Sequence, residues 1–433
     1  MAFEPLYNII ERKMIIMGIL EELEEENSKS GMFGSDQHVS ISYPMGMPVL
    51  DQQLGAIYRF RNNEGEIVEE RHIGLPAGTF TMFVGPSSSG KTTAAEQAAW
   101  SIVESYGEDA VVIHFDVERS SQPPRIKSVL GISDYEFSKR YNLDRETDTW
   151  EGILSHIVKL SEKKESDPGR YMYDTGIVDE DTGKPVRYYI PTAIIIDSLM
   201  SVTSENEESE KISGLTSGGR EAIFRGKFYR NALRYASKYN INIIVINHYD
   251  DEMPAIGMSA PKGKELTFIP TGKIIPGGKK SKYYTSSIVL FQPINGKDGI
   301  KVKEVNGYNG VPVKTLVIKS RTSAGGTVAL QEFVQEAGFD PRLTIMNLAK
   351  EKGVISGRNP SCYFSCNPDV KFDTRCFISE IQRDPEIIRT LFKEMRPILE
   401  EMIPVVDTVN DDNVINGAKQ KKESRDLMRE LLY

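Results

Sequence analysis

The stretch GPSSSGKTT, Gly85 to Thr93, constrains this chain more than any other because of what flanks it. An apolar run, TFTMFV (79–84), leads into it, and an alanine-rich helical pattern, AAEQAAWSIV, follows. The spacing G-x-x-x-x-G-K-T between a strand and a helix suits one ligand class. Glycines let backbone N–H groups turn inward onto phosphate oxygens, and the helix N-terminus adds its dipole. The pattern predicts a nucleotide site formed by Gly85, Pro86, Ser87, Ser88, Ser89, Gly90, Lys91, Thr92 and Thr93. Lys91 would reach the β- and γ-phosphates, and the Thr92 hydroxyl would meet Mg2+. Pumps, helicases, kinases and recombinases share such a loop, so it specifies the ligand and leaves the task open.

Three further runs, AVVIHF (110–115), TAIIID (192–197) and INIIVIN (241–247), are β-branched and nearly continuous. Such runs read as parallel strands buried on both faces. SSIVLF (286–291) and KTLVIK (314–319) extend the same sheet. One intervening helix carries Phe224, Phe228, Ala232, Tyr235 and Tyr239 on a single face. The fold expected is α/β, a mainly parallel sheet flanked by helices. Residues 161–191 read as a polar insertion with a hairpin turn near Asp181. The expected organisation is a helix (5–26) and linker within 1–39, a nucleotide-binding core over 40–326, and a smaller α+β segment with a polar tail over 327–433.

Strand ends supply the chemistry. Asp197 closes an apolar strand, where a carboxylate can hold Mg2+ through water. Glu118 lies just past another strand, where it can orient or deprotonate an attacking water; a solvated surface glutamate has the same signature. Asn247 and His248 end a third, and His248 is either a γ-phosphate sensor or a satisfied core histidine.

The formal net charge of −9 argues against indiscriminate coating of nucleic acid, but its distribution is uneven. Between Ala255 and Tyr284 stand Lys262, Lys264, Lys273, Lys279, Lys280 and Lys282 against a single acid, Glu265. Gly277 and Gly278 lie among them, and Phe268, Tyr283 and Tyr284 interleave as stacking platforms would. A second polar loop, 200–220, leads into Arg220 and Arg225. Both loops leave strand C-terminal ends, the edge where α/β sheets bind ligands. A mobile solvated surface is the bland alternative.

No apolar run approaches the roughly 20 residues of a membrane helix. Glu4, Glu11 and Arg12 interrupt the N-terminal segment, so no secretory signal is expected and cytoplasm is the default. Cys362, Cys366 and Cys376 match no zinc spacing and read as reduced thiols.

Taken in order, GLPAGTFTMFVGPSSSGKTT, FDVERS, IIIDS, VINH, PGGKKSKYYTSS and VIKSRT resemble the RecA-type recombinases. The upstream MGMPVLDQQLG resembles the segment before their nucleotide domain, and NH and KSR are most similar to the UvsX-like branch of tailed phages. The likeness covers about residues 40–403. It implies a RecA-like core that hydrolyses ATP with Mg2+ in a helical filament on single-stranded DNA, pairs it with homologous duplex DNA, and works in the bacterial cytoplasm during phage infection.

Carried over by position, Glu118 is the catalytic base and His248 the sensor coupled to the lysine-rich loop. Lys319 and Arg321 would reach the ATP of a neighbouring subunit, and the helix at 5–26 would dock on that neighbour. Arg125 stands where the family has a tyrosine stacked on adenine, and a guanidinium can stack there too. A mediator or single-strand-binding partner is a further implication; a membrane is not. The rival readings are a hexameric helicase motor, which would form closed rings on DNA, and a non-catalytic filament scaffold, whose ATPase would ignore DNA.

Overall fold

The computed structural model describes residues 41–61, 66–178, 185–205, 217–251, 266–294, 303–305 and 308–407. Its centre is a ten-stranded sheet. In chain order the main strands are β1 (Phe80–Val84), β2 (Val112–Asp116), β3 (Tyr141–Asp144), β4 (Thr192–Asp197), β5 (Ile241–Asn247), β6 (Ser287–Pro293), β7 (Tyr308–Lys319), β8 (Val328–Val334) and β9 (Gly338–Phe339). Their spatial order is β9-β8-β7-β6-β1-β5-β4-β2-β3, and the short strand Lys303–Val305 pairs with β7. From β6 to β3 every pairing is parallel. From β6 through β9 the pairing is antiparallel.

The continuous apolar character of the strands follows from coverage on both faces. Phe83, Ile195, Ile244 and Ile246 point into one core with Ala94, Ala95, Ala98 and Trp100 of helix α1 (Lys91–Val103). Their neighbours Met82, Val84, Ile194, Ile196, Ile243 and Val245 point into the other. That second core is closed by α3 (Trp150–Ser166) and α4 (Ser217–Tyr239), with α2 (Pro123–Leu130) beside α1 on the first face. The alanines of α1 let its backbone lie close to the sheet, which brings the start of that helix to the C-terminal ends of the parallel strands.

Several boundaries differ from the sequence reading. The buried face of α4 is Phe228, Tyr229, Ala232, Ala236 and Tyr239, with Tyr235 only part-buried, so the helix is rolled toward the sheet. Residues 161–166 are not insertion but the last turn of α3, where Lys164 donates to Ile190 O and Tyr239 O at 2.7 and 2.9 Å. Burial pulls the Lys164 ammonium down to about 7. The hairpin itself is present as Met172–Val178 and Pro185–Tyr189; its turn lies outside the described residues. Its two arms are laced by Thr175 Oγ1, which donates to Val186 O at 2.8 Å, and by the Arg187–Asp174 ion pair.

Beyond residue 327 the chain does not leave the sheet at once. β8 and β9 hydrogen-bond into it before the chain enters a segment of helices Pro341–Glu351 and Glu386–Glu401 and a three-stranded sheet, Ile355–Phe372. Cys362 is buried in that segment, Cys366 exposed, and Cys376 between; all are free thiols. The predicted helix at 5–26 and the polar tail after 407 lie outside the described residues. Among the described residues no helix is long and apolar enough to cross a membrane.

Candidate nucleotide site and adjoining basic segment

The loop between β1 and α1 is shaped by two glycines. A Cβ on Gly85 would stand 2.3 Å from Phe291 O, so only glycine lets the loop pass β6. Gly90 adopts φ +86 as the N-cap of α1 and brings no capping side chain to that helix start. By contrast α3 is capped by Thr149 Oγ1, which accepts from Gly152 N. The first turn of α1 thus keeps N–H donors that no side chain satisfies. Inside the loop the buried Ser89 hydroxyl has no hydrogen-bond partner.

Lys91 is buried, and its ammonium donates to Pro86 O at 2.7 Å. Burial lowers its pKa, against the pull of Asp197 and Glu118. An orphan hydroxyl, an uncapped helix start and a buried cation together fit a phosphate group. Thr92 Oγ1 donates to Asp197 Oδ2 at 2.8 Å. This hydroxyl–carboxylate pair is a hard oxygen donor set of the kind Mg2+ takes alongside phosphate oxygens. Among the described residues no cluster of three or more His, Cys, Asp or Glu side chains is arranged to hold a metal by itself.

The parallel register delivers the remaining groups to the same edge. Asp197, the last residue of β4, pairs with Asp116, the last of β2. Burial raises Asp197 to about 6, with Glu118 and Asp116 adding to the rise and Thr92 and Lys91 opposing it. Glu118 N donates to Asp197 O at 3.1 Å, which fixes the turn beyond β2 to the end of β4. Glu118 Oε1 lies 3.8 Å from His248 Nε2 across the mouth, both side chains about one-third exposed. His248 follows β5, and its N–H donates to Asn247 Oδ1 at 2.9 Å. The buried Asn247 amide donates onward to Pro276 O at 2.9 Å.

Arg125, on α2, donates from Nη1 to Gln335 O at 2.6 Å. With Ser88–Thr93, Val311, Val313 and Phe333 it lines a cavity of about 450 Å3 beside the loop.

Pro276 directly precedes the paired glycines of the basic segment. Gly277 (φ +101) and Gly278 (φ +80) start α5 (Gly278–Tyr284). Lys319 closes β7 and donates to Lys282 O (2.7 Å), Tyr283 O (3.1 Å) and Thr285 O (2.7 Å). Arg321 donates to Tyr283 O at 2.7 Å. Both cations, expected to reach a neighbouring subunit, here cap the C-terminus of α5 in their own chain. The physical reason is that the last carbonyls of a helix lack internal donors and carry its negative end.

The basic residues divide. Lys279 and Lys280 are exposed. Lys273 pairs with Asp251 at 2.5 Å. Lys282 is buried. Arg225, expected at an open surface, is only 7% exposed, its guanidinium 5.7 Å from the Trp150 ring centre, because the roll of α4 turns it inward. Lys262, Lys264 and the side chain of Arg220 lie outside the described residues.

Sequence reasoning missed Glu96. It follows Thr92 by one helical turn, and burial with the Asp197 charge pushes it up to about 8. An acid in an alanine-rich helix was the only signal. It also missed Asp116, the end of a strand whose run was legible, and Arg145, because the four-residue edge strand β3 that precedes it is too short and polar to be seen by pattern.

The fold and site define an α/β protein with a phosphate-type loop, a Thr–Asp pair and a carboxylate–histidine pair along one sheet edge. No family model matches the chain. It is, however, similar to curated RecA proteins over most of its length. The identity is 23% over 357 residues with that of Mycoplasma mobile, covering 81% of this chain and 86% of the relative. It is 22% over 333 residues with that of Lactococcus lactis subsp. cremoris, covering 76% and 70%. It is 26% over 282 residues with that of Thermus aquaticus, covering 65% and 68%. This weak but extended homology supports the RecA-type recombinase family.

Proposed function

We propose that the chain is an ATP-dependent recombinase of the UvsX-like branch, which assembles on single-stranded DNA and exchanges strands with a homologous duplex. The observation that carries this reading is the meeting of Lys91, Thr92, Asp197, Glu118 and His248 at the ends of four neighbouring parallel strands, with a hydrogen-bonded route from there to the basic segment. Lys91 and the loop hold the phosphates. Thr92 and Asp197 hold Mg2+, which when bound supplies positive charge against the phosphate oxygens. Glu118 takes the proton of the attacking water. His248 meets the terminal phosphate, and the Asn247–Pro276 bond carries its displacement to the start of α5.

Lys319 and Arg321 have two claims on them in this reading: the carbonyls of α5 in their own chain, and the ATP of the next subunit. A cation delivered from the next subunit stabilises transition-state charge as an arginine finger does. The lysine-rich segment binds the DNA backbone, with Lys279 and Lys280 the exposed cations at its described end. The 1–39 segment docks on the neighbouring subunit in the filament.

An ATPase assay with and without single-stranded DNA tests the reading. Parental protein is expected to show DNA-stimulated turnover, Lys91→Ala no nucleotide binding, and Glu118→Gln nucleotide binding without turnover on persistent filaments. Turnover indifferent to DNA, or closed rings in electron micrographs, would contradict it.

A further inference from the structure

We propose that Arg145 is a positioning residue for Glu118, acting through Asp116 and the backbone of Ser121; this rests on Glu118 being the base, as read above. The parallel register of β2 and β3 pairs Phe115 with Asp144. The next residues, Asp116 and Arg145, therefore leave the sheet side by side at the edge that carries the site. The chain beyond β2 is wound around the Asp116 carboxylate. Oδ1 accepts from Ser120 N at 3.0 Å and Oδ2 from Ser121 N at 3.1 Å. The Asp116 carbonyl accepts from Arg119 N at 3.0 Å, and Arg119 takes the left-handed φ of +56 that this winding needs. Glu118 stands at the apex, tied on its other side to Asp197 O.

Asp116 is fully buried, and its charge bears on both Glu96 and Asp197. An anion in that company needs a compensating cation. Arg145 supplies it from the solvent side: Nε donates to Asp116 Oδ2 at 3.1 Å, and Nη2 donates to Ser121 O. One planar fork thus holds the carboxylate and the far end of the turn at once, which a lysine ammonium cannot do in a fixed geometry. Arg145 is itself held, since Asp144 accepts from Glu146 N, Thr147 N and Thr147 Oγ1 at 2.9, 3.0 and 2.8 Å. Arg145 thereby sets where the Glu118 carboxyl stands over the mouth of the loop.

The test compares DNA-stimulated kcat with nucleotide Kd for Arg145→Gln, Arg145→Lys, Glu118→Gln and the double variant Glu118→Gln/Arg145→Gln, with near-ultraviolet circular dichroism as the check on folding. A displaced general base costs up to about 100-fold, so Arg145→Gln should lose roughly 10- to 100-fold in kcat with nucleotide Kd unchanged within about twofold. Arg145→Lys should fall between it and the parent. In single-turnover assays, where any residual hydrolysis by Glu118→Gln can be read, the double variant should match Glu118→Gln, because both substitutions act on one group; a further loss of about 10-fold or more would overturn the proposal. Parental kcat in folded Arg145→Gln overturns the proposal, and so does an equal loss of kcat and nucleotide affinity. Should Arg145→Gln not fold, Arg145→Lys decides by the same two criteria. The two failures separate: parental turnover in Glu118→Gln sinks the assignment of the base, whereas a dead Glu118→Gln beside a parental Arg145→Gln sinks only the positioning role.

Discussion

Glu96→Gln is the substitution whose consequence follows most directly from the geometry. Glu96 is 3% exposed on α1, and its pKa is pushed up to about 8 by burial first and then by Asp197, with Asp116 adding and Arg125 opposing. In the unfolded chain the same group titrates at its ordinary 4.5. A pKa raised on folding contributes stability that is complete below 4.5 and is lost as pH climbs through about 8. Each pH unit between the two values is worth about 1.4 kcal/mol, so the ceiling is near 5 kcal/mol; relaxation around the ionised acid brings the expectation to roughly 2–3 kcal/mol. Glutamine copies the shape of the neutral acid and cannot ionise. Urea unfolding of parent and variant at pH 5, 7 and 9 should show near-equal stability at pH 5 and a variant ahead by that amount at pH 9. Parallel pH profiles would refute both the burial argument and the neutral state of Glu96.

Other substitutions probe other parts of the fold. Lys319→Met removes the donor from three carbonyls at the end of α5, and with charged hydrogen bonds worth about 1.5–3 kcal/mol, dilute protein without nucleotide should lose roughly 2 kcal/mol in urea unfolding. Unchanged stability there, with lost ATPase only on DNA, would give Lys319 a role solely between subunits. Gly85→Ala drives a Cβ to 2.3 Å from Phe291 O, so the loop must shift, and nucleotide affinity should fall at least about tenfold in fluorescence titration. Phe228→Ala empties a site against Phe80, Trp150 and Tyr229 and should cost about 3–5 kcal/mol by thermal or urea unfolding.

The parallel strands were legible because burial on both faces forces uninterrupted β-branched runs; β4 and β5 span the very residues their patterns indicated. The loop at 85–93 was legible because its glycines and lysine answer a local requirement. The edge strand β3 was not, since four residues with one face at the sheet margin carry no periodicity. The inward roll of α4 was not either: Arg225 on an apolar face reads as an outward cation unless Trp150 is known to lie beneath it.

What the sequence determined by itself is whatever local chemistry demands: which runs are strands, where backbone must approach phosphate, which residues end at the ligand edge. Only the tertiary structure decided which of those ends are neighbours. The order β1-β5-β4-β2-β3 sets Thr92 against Asp197, Glu118 across from His248, and Arg145 beside Asp116, from elements far apart in the chain. The same packing turned Lys319 and Arg321 onto α5, because a helix end lacking donors lies within their reach. Spacing along a chain carries no record of such distances; they arise when the sheet closes.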